Sequence, residues 1–116
     1  MRLALSAALV AAFAASAHAE ALTIDLPDAG SAERSKVAYT CSGGHKVTAE
    51  YINAGANSLA VVTTGDDTIL MVNVLSASGA RYAGQQYVWW TKGSTADLYD
   101  LTQGEDAPPR LSCQEG

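Results

Sequence analysis

From Lys36 onward the chain alternates. Val37, Tyr39 and Cys41 fall on one parity and Ala38 and Thr40 on the other; after Ser42-Gly43-Gly44, Val47, Ala49 and Tyr51 repeat the pattern while Lys46, Thr48 and Glu50 face the opposite way. Period two is the signature of a half-buried β-strand, because successive side chains leave a strand on opposite faces. The alternation is broken where turn residues cluster. Asn53-Ala54-Gly55-Ala56-Asn57 precedes a strand expected over residues 58–63, and Gly65-Asp66-Asp67 precedes the apolar run of residues 68–75. Further strands are expected over 80–82, 87–91, 96–101 and 110–113, with Pro108-Pro109 interrupting before the last. The pattern amounts to about eight strands joined as consecutive hairpins.

The last predicted strand puts Leu111 and Cys113 on one face, as the first puts Cys41 with Val37 and Tyr39, so both sulfurs can point inward. Cys41 and Cys113 are the only cysteines in the chain, and one bridge between them is the natural reading. It would close a loop of roughly 72 residues, for which chain entropy suggests about 4 kcal/mol. A meander whose first and last strands meet is a barrel, which also removes exposed sheet edges. The fold class expected is therefore all-β, a small antiparallel eight-stranded barrel closed by one disulfide, with a two-sheet sandwich as its rival.

Residues 1–19 read differently. Met1-Arg2 is a short basic start, residues 3–15 are apolar, and Ala17-His18-Ala19 is a small-x-small cleavage signal, together a secretory signal peptide. The apolar run is too short for the roughly 20 residues that a membrane-spanning helix needs. Residues 20–35, broken by Pro27, Gly30 and charges, form an irregular leader, and residues 36–116 the barrel domain. Export to an oxidising compartment suits the disulfide. No cysteine follows the signal region to take a lipid, so no lipid anchor is evident and a periplasmic location is expected. Residues 20–116 carry six Lys plus Arg against twelve Asp plus Glu, a formal charge of −6. That argues against nucleic acid and favours a basic partner, although solubility alone would also explain it.

Catalytic chemistry finds little to work with. A nucleophile needs a tuned base in reach, and after residue 19 the only histidine is His45, beside a glycine turn. With both cysteines bonded there is no thiolate and no Cys-rich zinc site; Asp66-Asp67 are turn residues without calcium-loop spacing. No metal, cofactor or enzymatic activity is expected. The segment that stands apart is residues 76–93, which holds both tryptophans, Tyr82, Tyr87, Arg81 and Lys92. Hairpin turns flanking strands, with aromatics as packing, would account for most of it. They would not account for all of it, because alternation sets Trp89 and Trp90 on opposite faces and at most one can fill a barrel interior.

Two motifs in this segment, Ser78-Gly79-Ala80-Arg81-Tyr82 and Tyr87-Val88-Trp89-Trp90-Thr91-Lys92-Gly93, resemble those of the bacterial membrane-bound and periplasmic inhibitors of C-type lysozyme. The likeness runs from about Val37 to Cys113 and includes Tyr39-Thr40-Cys41, residues 47–53 and Leu111-Ser112-Cys113. It implies an eight-stranded antiparallel barrel whose two motif loops enter the lysozyme cleft, with C-type lysozyme as partner. Ser78 would hydrogen-bond the catalytic carboxylates and Lys92 would reach the same acidic site. Gly79 and Gly93 would let the loop tips approach closely, Tyr82 and Tyr87 would brace the loops, Thr91 belongs to the second motif, and Arg81 is a minor rim candidate. The missing lipid-attachment cysteine favours the periplasmic subgroup. A homodimer would be consistent with the surplus aromatic surface. The rival functions are an envelope module that binds cell-wall sugar or peptide through a tryptophan face, and a purely structural β-protein.

Overall fold

The structure, a computed structural model, describes residues 21–116 and, before them, only Ala4 and Ala8, so the signal peptide expected over residues 1–19 lies outside the described stretch. Eight strands follow one another: β1 (Glu33–Cys41), β2 (Lys46–Ala54), β3 (Asn57–Thr64), β4 (Asp67–Val74), β5 (Ala80–Gly84), β6 (Tyr87–Lys92), β7 (Thr95–Asp100) and β8 (Leu111–Glu115). Each pairs antiparallel with its sequence neighbour, and β8 returns to β1, giving a closed barrel rather than a sandwich. The β1–β8 seam is short, three paired positions ending at Cys41 opposite Cys113, and the two are disulfide-bonded there.

Alternation decides what is inside. Tyr39 and Cys41 of β1, Val47 and Ala49 of β2, Ala60 and Val62 of β3, and Ile69 and Met71 of β4 are buried, and Trp89 of β6 is fully enclosed at the centre. The polar atoms of the interior satisfy one another, as buried donors must. Tyr39 and Tyr51 share a hydroxyl–hydroxyl hydrogen bond of 2.7 Å, the Trp89 indole N–H donates to the Tyr51 oxygen at 2.9 Å, and the Tyr39 ring meets Trp89 edge-on. Burial pushes the Tyr39, Tyr51 and Tyr82 phenols above their ordinary ionisation range.

The strands are longer than the hydrophobic pattern shows. β1 begins at Glu33, where Glu33, Arg34 and Ser35 pair with Asn53, Ile52 and Tyr51 and Arg34 bridges Glu50 at 2.7 Å. These positions are exposed on β1, so nothing apolar marks them in the sequence. On β4 the outward residues Leu70 and Val72 stay exposed although apolar, and Leu22, Ile24 and Leu26 of the leader share with Leu70 and Ile52 a groove of about 400 Å³.

An antiparallel meander sorts its connections to two ends. One end collects the β2–β3, β4–β5 and β6–β7 links; the other collects the turn at Ser42–Gly44, the β3–β4 and β5–β6 turns and the long β7–β8 link. That long link opens with a one-turn 3-10 helix (Leu101–Gln103), where the Thr102 N–H donates to the Asp100 carboxylate at 2.9 Å. Hydrogen bonds from the Thr102 hydroxyl and amide hold the Asp100 carboxyl below its ordinary range.

Candidate functional site

Ser78-Gly79 lies on the β4–β5 link, and Lys92 ends β6 with Gly93 opening the β6–β7 turn, so both motif tips emerge at the same end of the barrel, and all four residues are exposed. Strand register makes them neighbours. Ala80 pairs with Thr91, which sets Gly79 beside Lys92. The approach is close enough to demand glycine: residue 79 has φ +66°, and a Cβ there would run into the Thr91 carbonyl oxygen and stand 2.9 Å from Lys92 Cγ. Gly93 also has positive φ, at +59°, but faces open space, so only the turn conformation requires it.

Side-chain hydrogen bonds to backbone carbonyls brace the two tips. Ser76 Oγ donates to the Gly79 carbonyl at 3.1 Å, Thr91 Oγ1 to the Ala80 carbonyl at 3.3 Å, and Thr95 Oγ1 to the Lys92 carbonyl at 2.9 Å. Neither Ser76 nor Thr95 stands out as a site residue in the sequence; their roles come from the turns, which place each hydroxyl within reach of a carbonyl three residues away. Trp90 projects outward from β6. Its Nε1 donates to the Ser78 carbonyl at 2.9 Å, and its ring lies beneath Lys92 Nζ at 4.7 Å and the Arg81 guanidinium carbon at 5.6 Å. Arg81 is thus half-buried on the outer face rather than at the tips, and its Nε is buried without a hydrogen-bond partner.

The two tyrosines expected to brace the loops sit away from the tips. Tyr82 is turned inward at 7% exposure, its ring 5.7 Å from that of Tyr51, because it shares the inward parity of Trp89 with which it pairs across β5 and β6. It supports the barrel wall behind the loops and presents no surface to a partner. Tyr87 opens β6 at the opposite end of the barrel, where its hydroxyl accepts from Arg110 Nη1 at 3.3 Å; the length of the strand separates it from both tips. His45 and Lys46 also line the hollow at that far mouth.

The adjoining tips therefore offer a hydroxyl and an ammonium, with no histidine among them. Among the described residues, no group of His, Cys, Asp and Glu could hold a metal ion, and Lys92 enters no salt bridge. Hydrogen-bond donors without an internal acid are suited to meet an acidic surface, and nothing here resembles a general base with its nucleophile.

Residues 39–107 match the family described as membrane-bound lysozyme-inhibitor of c-type lysozyme. The chain is similar to the membrane-bound lysozyme inhibitor of C-type lysozyme from Pseudomonas aeruginosa, 45% identical over 91 residues that make up 78% of this chain and 72% of that protein. It is also similar to the inhibitor of the same name from Cupriavidus necator, 47% identical over 79 residues, 67% of this chain and 63% of the relative. Among solved structures, Pseudomonas aeruginosa MliC in complex with hen egg white lysozyme superposes with a TM-score of 0.72 at 40% identity, over 85% of this chain and 99% of that one.

Proposed function

The chain belongs to the family of membrane-bound inhibitors of C-type lysozyme, a family of inhibitors and not of enzymes, and from that premise we propose that it blocks a C-type lysozyme by placing Ser78 and Lys92 in the active-site cleft. The observation that carries this reading is the adjacency of the two tips, exposed, braced and presenting donors of the right kind. C-type lysozymes flank the scissile bond with two carboxyl groups. A serine hydroxyl can donate to one oxygen, and a lysine ammonium can neutralise the pair through charge-assisted hydrogen bonds. Occupying both carboxyl groups leaves no room for a sugar between them, so inhibition is competitive. A charge of −6 over residues 20–116 speeds encounter with a basic enzyme and loses force as salt rises. Residues 1–19 deliver the protein to the periplasm, where the Cys41–Cys113 bridge persists.

The test is lysis of a cell-wall substrate by a C-type lysozyme in the presence of oxidised residues 20–116, beside a goose-type enzyme and a Ser78→Ala, Lys92→Ala double variant. Truncating a buried charge-assisted contact costs roughly 2–5 kcal/mol of binding, so each single variant should weaken inhibition at least about tenfold and leave the fold intact. Inhibition of the C-type enzyme alone, lost in the folded double variant, is the expected result. Failure of the oxidised protein to inhibit, with saturable binding to cell-wall fragments instead, would replace the reading with that of a sugar- or peptide-binding module.

A further inference from the structure

We infer that Trp90 is a positioning residue: one outward-facing indole holds the Ser78 loop and the Lys92 side chain in register with each other before any partner arrives. The inference rests on the inhibitory role proposed for those two residues, but its geometry is independent of that role.

Trp90 meets both tips. Its N–H donates to the Ser78 carbonyl at 2.9 Å, which anchors the backbone of the residue whose hydroxyl is exposed. Nε1 also stands 3.2 Å from the position a Cβ would take at Gly79, so the indole edge lies directly against that loop. Lys92 Nζ rests over the ring face at 4.7 Å. A flexible four-carbon side chain at a turn tip would otherwise sample many rotamers, and attraction between an ammonium and an indole face narrows them. Arg81, over the ring at 5.6 Å, and Tyr99, with its tilted ring centroid 6.5 Å away, pack against the indole. A ring fixed by neighbours on β5, β6 and β7 is a rigid reference against which two mobile groups can be set. Ordering them beforehand removes an entropic cost that binding would otherwise bear.

Two substitutions separate the contributions. Trp90→Phe keeps a ring face for Lys92 and removes the donor to Ser78; Trp90→Leu removes both. Loss of one neutral hydrogen bond should weaken inhibition about fivefold in Trp90→Phe, and Trp90→Leu should weaken it about tenfold or more. In a Lys92→Ala background the further step from Phe to Leu should vanish, because the ring face then has nothing to hold. NMR of the free protein supplies a readout that needs no lysozyme. The Lys92 side-chain methylene protons should be shifted upfield by the indole ring current in the parent, less so in Trp90→Phe and not in Trp90→Leu, and the Ser78 and Gly79 amides should sharpen or shift together. Thermal melts check that each variant is folded, and Trp90→Phe preserves enough of the outer face to serve if Trp90→Leu does not fold.

Parent-like or tighter inhibition by a folded Trp90→Leu would overturn the inference, since the indole would then be idle or would be parking Lys92 away from its target. A Phe-to-Leu step that persists undiminished in Lys92→Ala would overturn it as well, because Trp90 would be touching the partner itself. If the parent protein does not inhibit lysozyme at all, the functional reading falls, while the Lys92 ring-current shift still decides whether Trp90 holds the two tips.

Discussion

Trp89 and Trp90 stand next to each other on β6, and the two regions they serve are built on the same plan to opposite ends. Inside, the Trp89 indole N–H donates at 2.9 Å to Tyr51, which is hydrogen-bonded in turn to Tyr39. Outside, the Trp90 indole N–H donates at the same distance to the Ser78 carbonyl, and cations rather than phenols lie against the ring. The interior closes on itself, since every partner of Trp89 is another core side chain. The outer face ends in groups with unused donors, Ser78 and Lys92, both exposed. A step of one residue along a strand thus converts the same residue type from a source of stability into an organiser of surface, because the pleat turns the side chain through the sheet.

That division can be broken most severely at Trp89. Trp89→Ala empties the centre of the barrel and should cost about 3–5 kcal/mol of stability, read as a lower urea midpoint, while the fraction that remains folded inhibits normally. Parent-like stability would mean that the interior does not depend on its central ring. A smaller loss is expected at the boundary between the regions. Gly79→Ala forces a side chain against the Thr91 carbonyl at positive φ and should cost about 2–4 kcal/mol, whereas Gly93→Ala, with open space around it, should cost only about 1–2 kcal/mol. Equal costs in the two variants would show that the crowding at Gly79 is relieved by movement of the loop.

The gentlest probe is alkali. Buried Tyr39 and Tyr82 and half-buried Tyr51 keep their protons above the range in which an unfolded tyrosine, near 10, gives its proton up. Above that pH the unfolded chain binds fewer protons than the folded one, so stability is fully present below about pH 10 and declines as pH rises further. Part of the tyrosinate absorbance should therefore appear only as near-UV ellipticity collapses. If all of it appears while the ellipticity is intact, the interior phenols are open to solvent.

Much of this was legible in the alternation. Val37, Tyr39 and Cys41, then Val47 and Ala49, mark the inward parity, and the two cysteines on inward positions of the first and last strands locate the closure. The start of β1 was not legible, since Glu33, Arg34 and Ser35 hold their place by backbone pairing and one ion pair, which leave no apolar trace. In the candidate site, Ser78 and Lys92 carry the motif, and their motif spacing alone does not reveal that they adjoin; the Ala80–Thr91 register does. Of the two tyrosines expected to brace the loops, Tyr82 stands in the wall behind them and Tyr87 lies at the far end of its strand. Closeness in sequence to a loop says nothing about which face of a strand, or which of its ends, a side chain occupies.

The disulfide at the β1–β8 seam encloses both motif loops and the long β7–β8 link within one covalent ring, residues 41–113. A protease that nicks any single bond inside that ring produces two pieces that cannot diffuse apart. Each cut end stays at the high effective concentration of a tethered neighbour, and the strands on either side can close again around the nick. Damage to the exposed connections is thereby made survivable, whereas the residues ahead of Cys41 lie outside the ring and, once cut, are held only by their pairing with β2 and β8.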